Sequence, residues 1–124
     1  MSKVILITGA SSGIGKSISL FLTSKGYKVY GTCRNPNKYD ISEYALLKCD
    51  ITSSVEIKKT IKYILNIENR IDVLINNAGK SINSIIPYNS FHKISINRSM
   101  PIIVINWSIN RNFMKRIIRN YRID

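Results

Sequence analysis

The sequence predicts an α/β fold, in which the chain of 124 residues forms a doubly wound parallel sheet with an incomplete C-terminal half. The first observation is that apolar runs of strand length alternate with segments whose apolar residues recur at helical spacing, in the order β-α-β-(α)-β-α-β. The second is a glycine-rich turn that follows the first run directly and opens the first helical segment. Strands that alternate with helices are joined by right-handed crossovers, so the sheet is expected to be parallel.

Four strands are predicted from short apolar or β-branched runs that are bounded by turn residues. They cover residues 4–7, 27–33, 44–49 and 71–75. The first helix is expected to begin near Ile14 and to end at Gly26, because glycine is the usual residue just past a helix end.

The second predicted helix begins after Thr52 or Ser53, either of which can be its N-cap, and runs to about Asn69. Glu56 stands three residues after Ser53, which is the spacing of a capping box. Between the second and third strands, residues 35–37 form an Asn-Pro-Asn loop that is able to open a short helix.

The composition of the chain changes near Gly79. Residues 1–79 hold 11 lysines and arginines against 6 acidic residues, whereas residues 80–124 hold 8 against 1 and contain no glycine, alanine or glutamate. Within the second region, residues 101–107 are expected to form a strand or the start of a helix, and residues 112–121 an amphipathic basic helix. The composition therefore indicates an N-terminal domain, 1–79, and a divergent basic tail, 80–124.

Composition and spacing argue against a membrane protein and against a metal site. No run of 18 apolar residues exists, and the N-terminus lacks the long apolar region and cleavage site of a signal peptide, so we expect a cytoplasmic protein with no membrane partner. Cys33, Cys49 and His92 form no cluster with ligand or redox spacing. We interpret the two cysteines as small buried hydrophobic residues near strand ends.

Residues 8–15 read Thr-Gly-Ala-Ser-Ser-Gly-Ile-Gly, with three glycines where a strand meets a helix. Glycine lets the backbone turn tightly and approach a pyrophosphate without a clash from a Cβ atom. The helix N-terminus offers unpaired N–H groups and the positive end of its dipole to an anion. The turn therefore favours a phosphate-binding loop over an ordinary strand-to-helix connection.

This spacing differs from the standard dinucleotide fingerprint and resembles the short-chain dehydrogenase/reductase family, whose usual glycine motif is the sequence found at 8–15. Two further motifs agree in order and spacing. Asp50-Ile51 follows the third strand, as the adenine-contacting Asp of the family does, and residues 76–79 match the family's Asn-Asn-Ala-Gly motif. The resemblance covers about two thirds of the chain and implies the N-terminal part of an NAD(P)-binding Rossmann fold.

The resemblance assigns cofactor-binding roles to three groups of residues. The loop is formed by Gly9, Gly13 and Gly15, and the phosphates are lined by Ser11, Ser12 and Ile14. The adenine is held by Asp50 and Ile51, and its ribose is bordered by Asn77, Ala78 and Gly79.

Charge at the end of the second strand favours NADP over NAD. An NAD-preferring site needs an acidic residue there to accept hydrogen bonds from the ribose 2′-hydroxyl, whereas residues 32–35 contain no carboxylate. Arg34 can bind a 2′-phosphate with two parallel hydrogen bonds. Lys16 is a lesser candidate, because it can equally lie on the exposed face of the first helix.

No catalytic residue is predicted. Enzymes of the family use a Ser, a Tyr and a Lys, the last two as Tyr-x-x-x-Lys on a helix well beyond the Asn-Asn-Ala-Gly motif. The pattern occurs here at Tyr44 and Lys48, in a predicted strand, and we interpret it as coincidence. Asn97 and Asn106 lack recognisable surroundings for the family's helix Asn. A truncated or frameshifted gene explains the composition change better than a genuine short variant with a basic tail.

Three functions are compatible with the sequence. The first is an oxidoreductase by ancestry that binds NADP(H) and acts, if active, on a small carbonyl or alcohol. The second is a non-catalytic dinucleotide-binding or regulatory module whose basic tail docks a partner. The third is nucleic-acid binding through the tail arginines 111, 116, 119 and 122, suggested by a sequence pI of 10.0. The high pI is explained better by a composition poor in acidic residues than by nucleic-acid binding.

Overall fold

The computed structural model describes residues 2–78 and the backbone of one further strand at 103–106. Within these ranges the elements follow the predicted alternation of strands and helices. In chain order they are β1 (Val4–Thr8), α1 (Gly13–Ser24), β2 (Lys28–Cys33), a short 3₁₀ helix (Pro36–Lys38), β3 (Ala45–Lys48), α2 (Ser54–Glu68), β4 (Val73–Asn76) and β5 (Ile103–Asn106).

The described strands form one parallel sheet in the order β3-β2-β1-β4-β5, which confirms the doubly wound α/β fold. Strand β1 lies between β2 and β4; the chain continues outwards from β1 through β2 to β3 and then crosses back to β4 on the other side of β1. The carboxyl ends of β1, β2 and β4 therefore meet at the point where the strand order reverses, which is where open α/β sheets bind ligands.

Strand β5 resolves the alternative that the sequence left open for residues 101–107. The backbone at Ile103–Asn106 pairs with β4 in parallel, from Val73 opposite Ile103 to Asn76 opposite Asn106. The tail therefore adds a strand to the sheet beside β4. The basic helix predicted at 112–121, the tail arginines, Asn97 and His92 lie outside the described residues, and the domain boundary near residue 79 stays a prediction.

The sheet is buried on both faces, as its continuous apolar strands predict. Alternate residues of β1 point to opposite faces, so that Ile5 and Ile7 pack towards α1 while Val4 and Leu6 pack towards α2. Helix α2 contributes Ile61 and Ile64, which are almost completely buried. Within the described ranges, neither helix has the length and apolar composition needed to cross a membrane.

The ends of both helices follow from local chemistry. Helix α2 is capped by Ser53, whose side chain accepts a hydrogen bond from the N–H of Glu56 over 3.3 Å. The reciprocal half of the predicted capping box is not made, because the N–H of Ser53 donates to the carbonyl oxygen of Asp50 instead. The helix ends at Asn69 in a left-handed conformation, and α1 ends just before Gly26, whose φ is 89°.

Candidate dinucleotide-binding cleft

A cavity of about 900 Å³ opens at the carboxyl ends of β1 to β4. Its walls come from the turn after β1, the end of β2 and the loop that follows, the turn after β3, and the turn after β4. The lining residues are Gly9, Ser11, Ser12, Thr32, Cys33, Arg34, Asn35, Lys38, Tyr39, Cys49, Asp50, Ile51, Thr52, Asn77 and Ala78.

Eight of the residues assigned from the sequence lie on this cavity. They are Gly9, Ser11, Ser12, Arg34, Asp50, Ile51, Asn77 and Ala78. Gly13, Ile14 and Gly15 form the first turn of α1, behind the lining residues Ser11 and Ser12, and Gly79 lies outside the described residues. The fold thus brings together four segments that are separated by up to 69 positions in the chain.

Glycines 9 and 15 allow the loop and the turn after β4 to pack directly on each other. A Cβ atom at Gly15 would lie 2.0 Å from the carbonyl oxygen of Gly9 and 2.5 Å from Nδ2 of Asn77. A Cβ atom at Gly9 would lie 2.9 Å from Cα of Ala78, and Gly9 also has a φ of 65°. Gly15 is therefore a packing glycine, and the absence of a side chain there allows α1 to approach the turns that follow β1 and β4.

Two polar side chains fix the turn after β4 against β1. The hydroxyl oxygen of Thr8 accepts hydrogen bonds from the N–H groups of Asn77 and Ala78, each over 3.0 Å. The side-chain amide of Asn77 donates to the carbonyl oxygen of Gly9 over 3.0 Å. These bonds hold Asn77 and Ala78 at the wall of the cavity.

In the part of the chain that the structure describes, the N-terminus of α1 is not capped by the side chain of its N-cap residue. Ser12 occupies the N-cap position in an extended conformation, its side chain makes no capping hydrogen bond, and the first turn carries no acidic residue. Gly13 has a φ of 57°, and a Cβ atom built there would meet nothing within 4 Å. The first N–H groups of the helix, together with the positive end of its dipole, are therefore arranged for an anion.

Asp50 and Arg34 lie on the side of the cavity formed by β2 and β3. Oδ1 of Asp50 accepts hydrogen bonds from the N–H and the hydroxyl of Thr52, over 2.9 and 2.7 Å. The Thr52 hydroxyl, the Thr52 N–H and then the charge of Arg34 lower the pKa of this carboxyl group, partly offset by desolvation. Asp50 is therefore ionised at neutral pH, and both of these bonds leave its Oδ2 to a ligand.

The cavity contains residues that sequence reasoning missed. The chain turns back at Pro36, and this turn brings the exposed side chains of Lys38 and Tyr39 to the cavity beside Arg34. The sequence feature that could have revealed these two residues is Pro36, because a proline at the start of a short helix fixes the direction of the loop. Thr32 also belongs to the cavity wall, and its fully buried hydroxyl has no hydrogen-bond partner within the described ranges.

Both cysteines are free thiols on the cavity wall. Cys33 is half-buried and shares a hydrogen bond with the side chain of Ser11, while burial raises the pKa of its thiol. Cys49 is buried against Thr60 of α2, and burial raises its pKa as well. The interpretation as residues near strand ends agrees with these positions, although Cys33 is less buried than expected.

Comparison with known proteins places the chain in a family. The model of the short chain dehydrogenase family matches residues 3–119, which extends beyond the part covered by the sequence motifs. The chain is 44% identical over 80 residues to 3-ketodihydrosphingosine reductase of Bacteroides thetaiotaomicron, covering 64% of this chain and 29% of that protein. It is 32% identical over 126 residues to 3-oxoacyl-[acyl-carrier-protein] reductase FabG of Buchnera aphidicola, covering 91% of this chain and 50% of that protein.

The chain is also similar to a solved structure of a short-chain oxidoreductase. The metagenomic short-chain oxidoreductase in complex with NADP is 35% identical, with a TM-score of 0.58, and the match covers 62% of this chain and 38% of that one. The chain thus spans half or less of the length of these three proteins. The motifs, the sheet order and the family match together show that this chain belongs to the short-chain dehydrogenase/reductase family.

Proposed function

We propose that the cavity binds NADP(H), with the pyrophosphate at the N-terminus of α1 and the adenosine 2′-phosphate beside Arg34. The observation that carries the proposal is that one cavity joins an uncapped helix N-terminus, an ionised Asp50 and an arginine from three different strand ends. These are the three kinds of group that a phosphorylated dinucleotide requires, namely anion donors, an acceptor for the adenine amino group and a cation.

One feature beside the cavity fits such a ligand. The space around Gly13 is open where a side chain would stand, so a pyrophosphate can approach the backbone of the helix N-terminus closely. This open space supports an anionic occupant that contacts the backbone directly.

Charge supports the phosphorylated form of the cofactor. Arg34 and Lys38 line the cavity, and Asp50 is the one carboxylate among the described lining residues. It stands after β3, whereas a carboxylate that selects NAD stands after β2. A 2′-phosphate would therefore meet two cations after β2 without an acidic neighbour on that loop. A similar solved structure, the metagenomic short-chain oxidoreductase, is a complex with NADP.

A fluorescence titration tests the proposal. Wild-type protein is titrated with NADPH and, separately, with NADH, and we expect both to bind with NADPH at least about tenfold tighter, as an extra charged contact implies. Equal affinities would contradict the assignment of the 2′-phosphate. Folded protein that binds neither nucleotide would overturn the proposed function as a whole.

We further propose that the oxidoreductase chemistry of the family requires residues that this chain lacks. A bound nicotinamide would supply hydride transfer to a carbonyl. The one Tyr-x-x-x-Lys of the sequence is Tyr44 and Lys48, of which the first is buried and the second is exposed on β3. We therefore expect binding without turnover, and a measurable rate of carbonyl-dependent NADPH oxidation would contradict this expectation.

A further inference from the structure

Tyr44, which the sequence singled out through a coincidental motif, lies directly beneath the glycine-rich loop. It precedes β3, is 7% exposed, and packs in the apolar layer between the sheet and α1. Its hydroxyl donates a hydrogen bond to the carbonyl oxygen of Ala10. A buried phenol therefore contacts the backbone of the loop from the side opposite the cavity.

The loop is fixed at Ala10 from two directions. The N–H of Ala10 donates to the carbonyl oxygen of Thr32 over 3.0 Å, and its carbonyl accepts from Tyr44. Gly31 makes this arrangement possible, because a Cβ atom there would lie 2.6 Å from Cβ of Ala10 and 3.0 Å from Cε2 of Tyr44. The close approach thus depends on a glycine in the middle of β2.

The same phenol lies beside α1. Its hydroxyl neighbours the Ser19 side chain, and Ser19 Oγ donates a hydrogen bond over 2.7 Å to the carbonyl oxygen of Gly15 in the first turn of the helix. Burial raises the pKa of Tyr44, so its hydroxyl keeps its proton and remains a donor at neutral pH. Tyr44 therefore links the loop and the helix start through one buried cluster.

Peptide geometry connects this cluster to the ligand. In a trans peptide unit the carbonyl oxygen of one residue and the N–H of the next point in opposite directions. Since the Ala10 carbonyl points into the core at Tyr44, the Ser11 N–H points away from the core, and Ser11 lines the cavity. No acceptor within the described ranges takes that N–H.

We propose that Tyr44 is a positioning residue for dinucleotide binding, which holds the Ala10–Ser11 peptide unit so that its N–H faces the bound phosphate. The inference rests on the proposed function, since the phosphate is that of NADP(H). Tyr44 does not itself line the cavity. Its effect on binding is therefore exerted through the backbone of the loop.

The test compares two buried tyrosines. Tyr44→Phe removes the phenol that holds the loop, and Tyr30→Phe removes a phenol on the opposite face of the sheet, where it donates to Glu68 over 2.5 Å. We expect Tyr44→Phe to weaken NADPH binding by about five- to tenfold, as the loss of one ordered hydrogen bond implies. Tyr30→Phe should leave the NADPH affinity unchanged, even if it lowers the melting temperature as much as Tyr44→Phe does.

Equal NADPH affinities in the two variants would overturn the proposal. If the wild-type protein binds no nucleotide, the proposed function fails. In that case amide hydrogen exchange tests separately whether Tyr44 holds the backbone of the loop. Faster exchange at Ser11 and Ser12 in Tyr44→Phe than in Tyr30→Phe supports the positioning role, and identical exchange overturns it. If Tyr44→Phe does not fold, the exchange rate of the Tyr44 hydroxyl proton is measured in the wild-type protein instead. Exchange as fast as that of the hydroxyl proton of the exposed Tyr63 would exclude the hydrogen bond to Ala10 and overturn the proposal.

Discussion

Arg34 and Lys38 differ in how readily the sequence revealed them. Arg34 follows β2 directly, at the position where the charge of a residue selects between the two nicotinamide nucleotides, so the role proposed for it could be suggested from order alone. Lys38 stands four residues later and reaches the same cavity only because the chain turns at Pro36. The position of Lys38 in the sequence does not show that the chain turns back and brings this residue to the cavity.

Replacing Arg34 should weaken the preference for NADPH. Arg34→Gln removes a cation able to make two hydrogen bonds to a phosphate, and charged hydrogen bonds contribute about 1.5–3 kcal/mol, so NADPH affinity should fall by about 10- to 100-fold. Lys38→Gln should cost less, about three- to tenfold, because an ammonium binds as a point charge. NADH affinity should change by less than about twofold in both variants, as measured by fluorescence titration.

Lys16 provides the matched control for these variants. It is exposed on α1 and does not line the cavity, so Lys16→Gln changes the net charge equally without altering the proposed phosphate contact. Long-range attraction between the basic protein and the anionic ligand would make all three variants alike and would disappear with added salt. A loss of NADPH affinity in Lys16→Gln as large as in Arg34→Gln would contradict a specific role for Arg34.

Asp50 carries a prediction about pH. Because its hydrogen bonds to Thr52 lower its pKa in the folded state, its stabilising contribution is complete above the unfolded-state value of about 3.9 and is lost as the pH falls through the lower folded-state value. Thr52→Val removes the hydroxyl and should raise the pKa of Asp50 towards its ordinary value. NMR titration of the carboxyl group measures this, with Ser54→Ala as control.

An unchanged Asp50 titration in Thr52→Val would show that the Thr52 hydroxyl does not hold the carboxylate. The same variant should keep Ser53 as the cap of α2, because Ser53 accepts from Glu56 independently of Thr52. A loss of helix content would therefore point to a different effect, since the cap would then be disturbed as well.

At the scale of elements, the sequence predicted the strands, the helices and the glycine junction but not the contacts beneath it. The junction was recognisable because close approach of backbone to backbone requires glycine, and three glycines mark it in the chain. The support given by Tyr44 to Ala10 joins residues 34 positions apart and depends on Gly31, which in the sequence is one glycine within a strand. Only the register between β1, β2 and β3 brings the three together.

Two glycines of the junction are needed for different reasons, Gly13 for its backbone conformation and Gly15 for close packing. Gly13→Ala should lower the free energy of unfolding by about 1–2 kcal/mol, because its φ of 57° is strained for alanine while the space beside it is open. Gly15→Ala should cost about 3 kcal/mol or more, since its Cβ atom would overlap the carbonyl oxygen of Gly9. Chemical denaturation measures both, and equal losses would show that packing at Gly15 is not as close as described.

At the scale of the whole molecule, the strand order places the cleft. The crossovers from β1 to β2 and from β3 to β4 put α1 and α2 on opposite faces. Because the strands are parallel, the turns after β1, β3 and β4 all open at the same edge of the sheet. Sequence alternation predicted this arrangement for β1 to β4. It could not decide residues 101–107, because a short apolar run fits a buried strand and a helix equally well.

Strand β5 is expected to protect the molecule from association through β4. A chain ending at residue 79 would leave the outer backbone groups of β4 unpaired, since β5 supplies their partners in the described structure, and an exposed apolar edge strand pairs readily with other chains. We expect such a chain to form oligomers or aggregates in sedimentation velocity, whereas a chain ending at residue 110 keeps β5 and should sediment as the full chain does. If both shortened chains sediment alike, pairing between β4 and β5 is not what protects β4 from association with other chains.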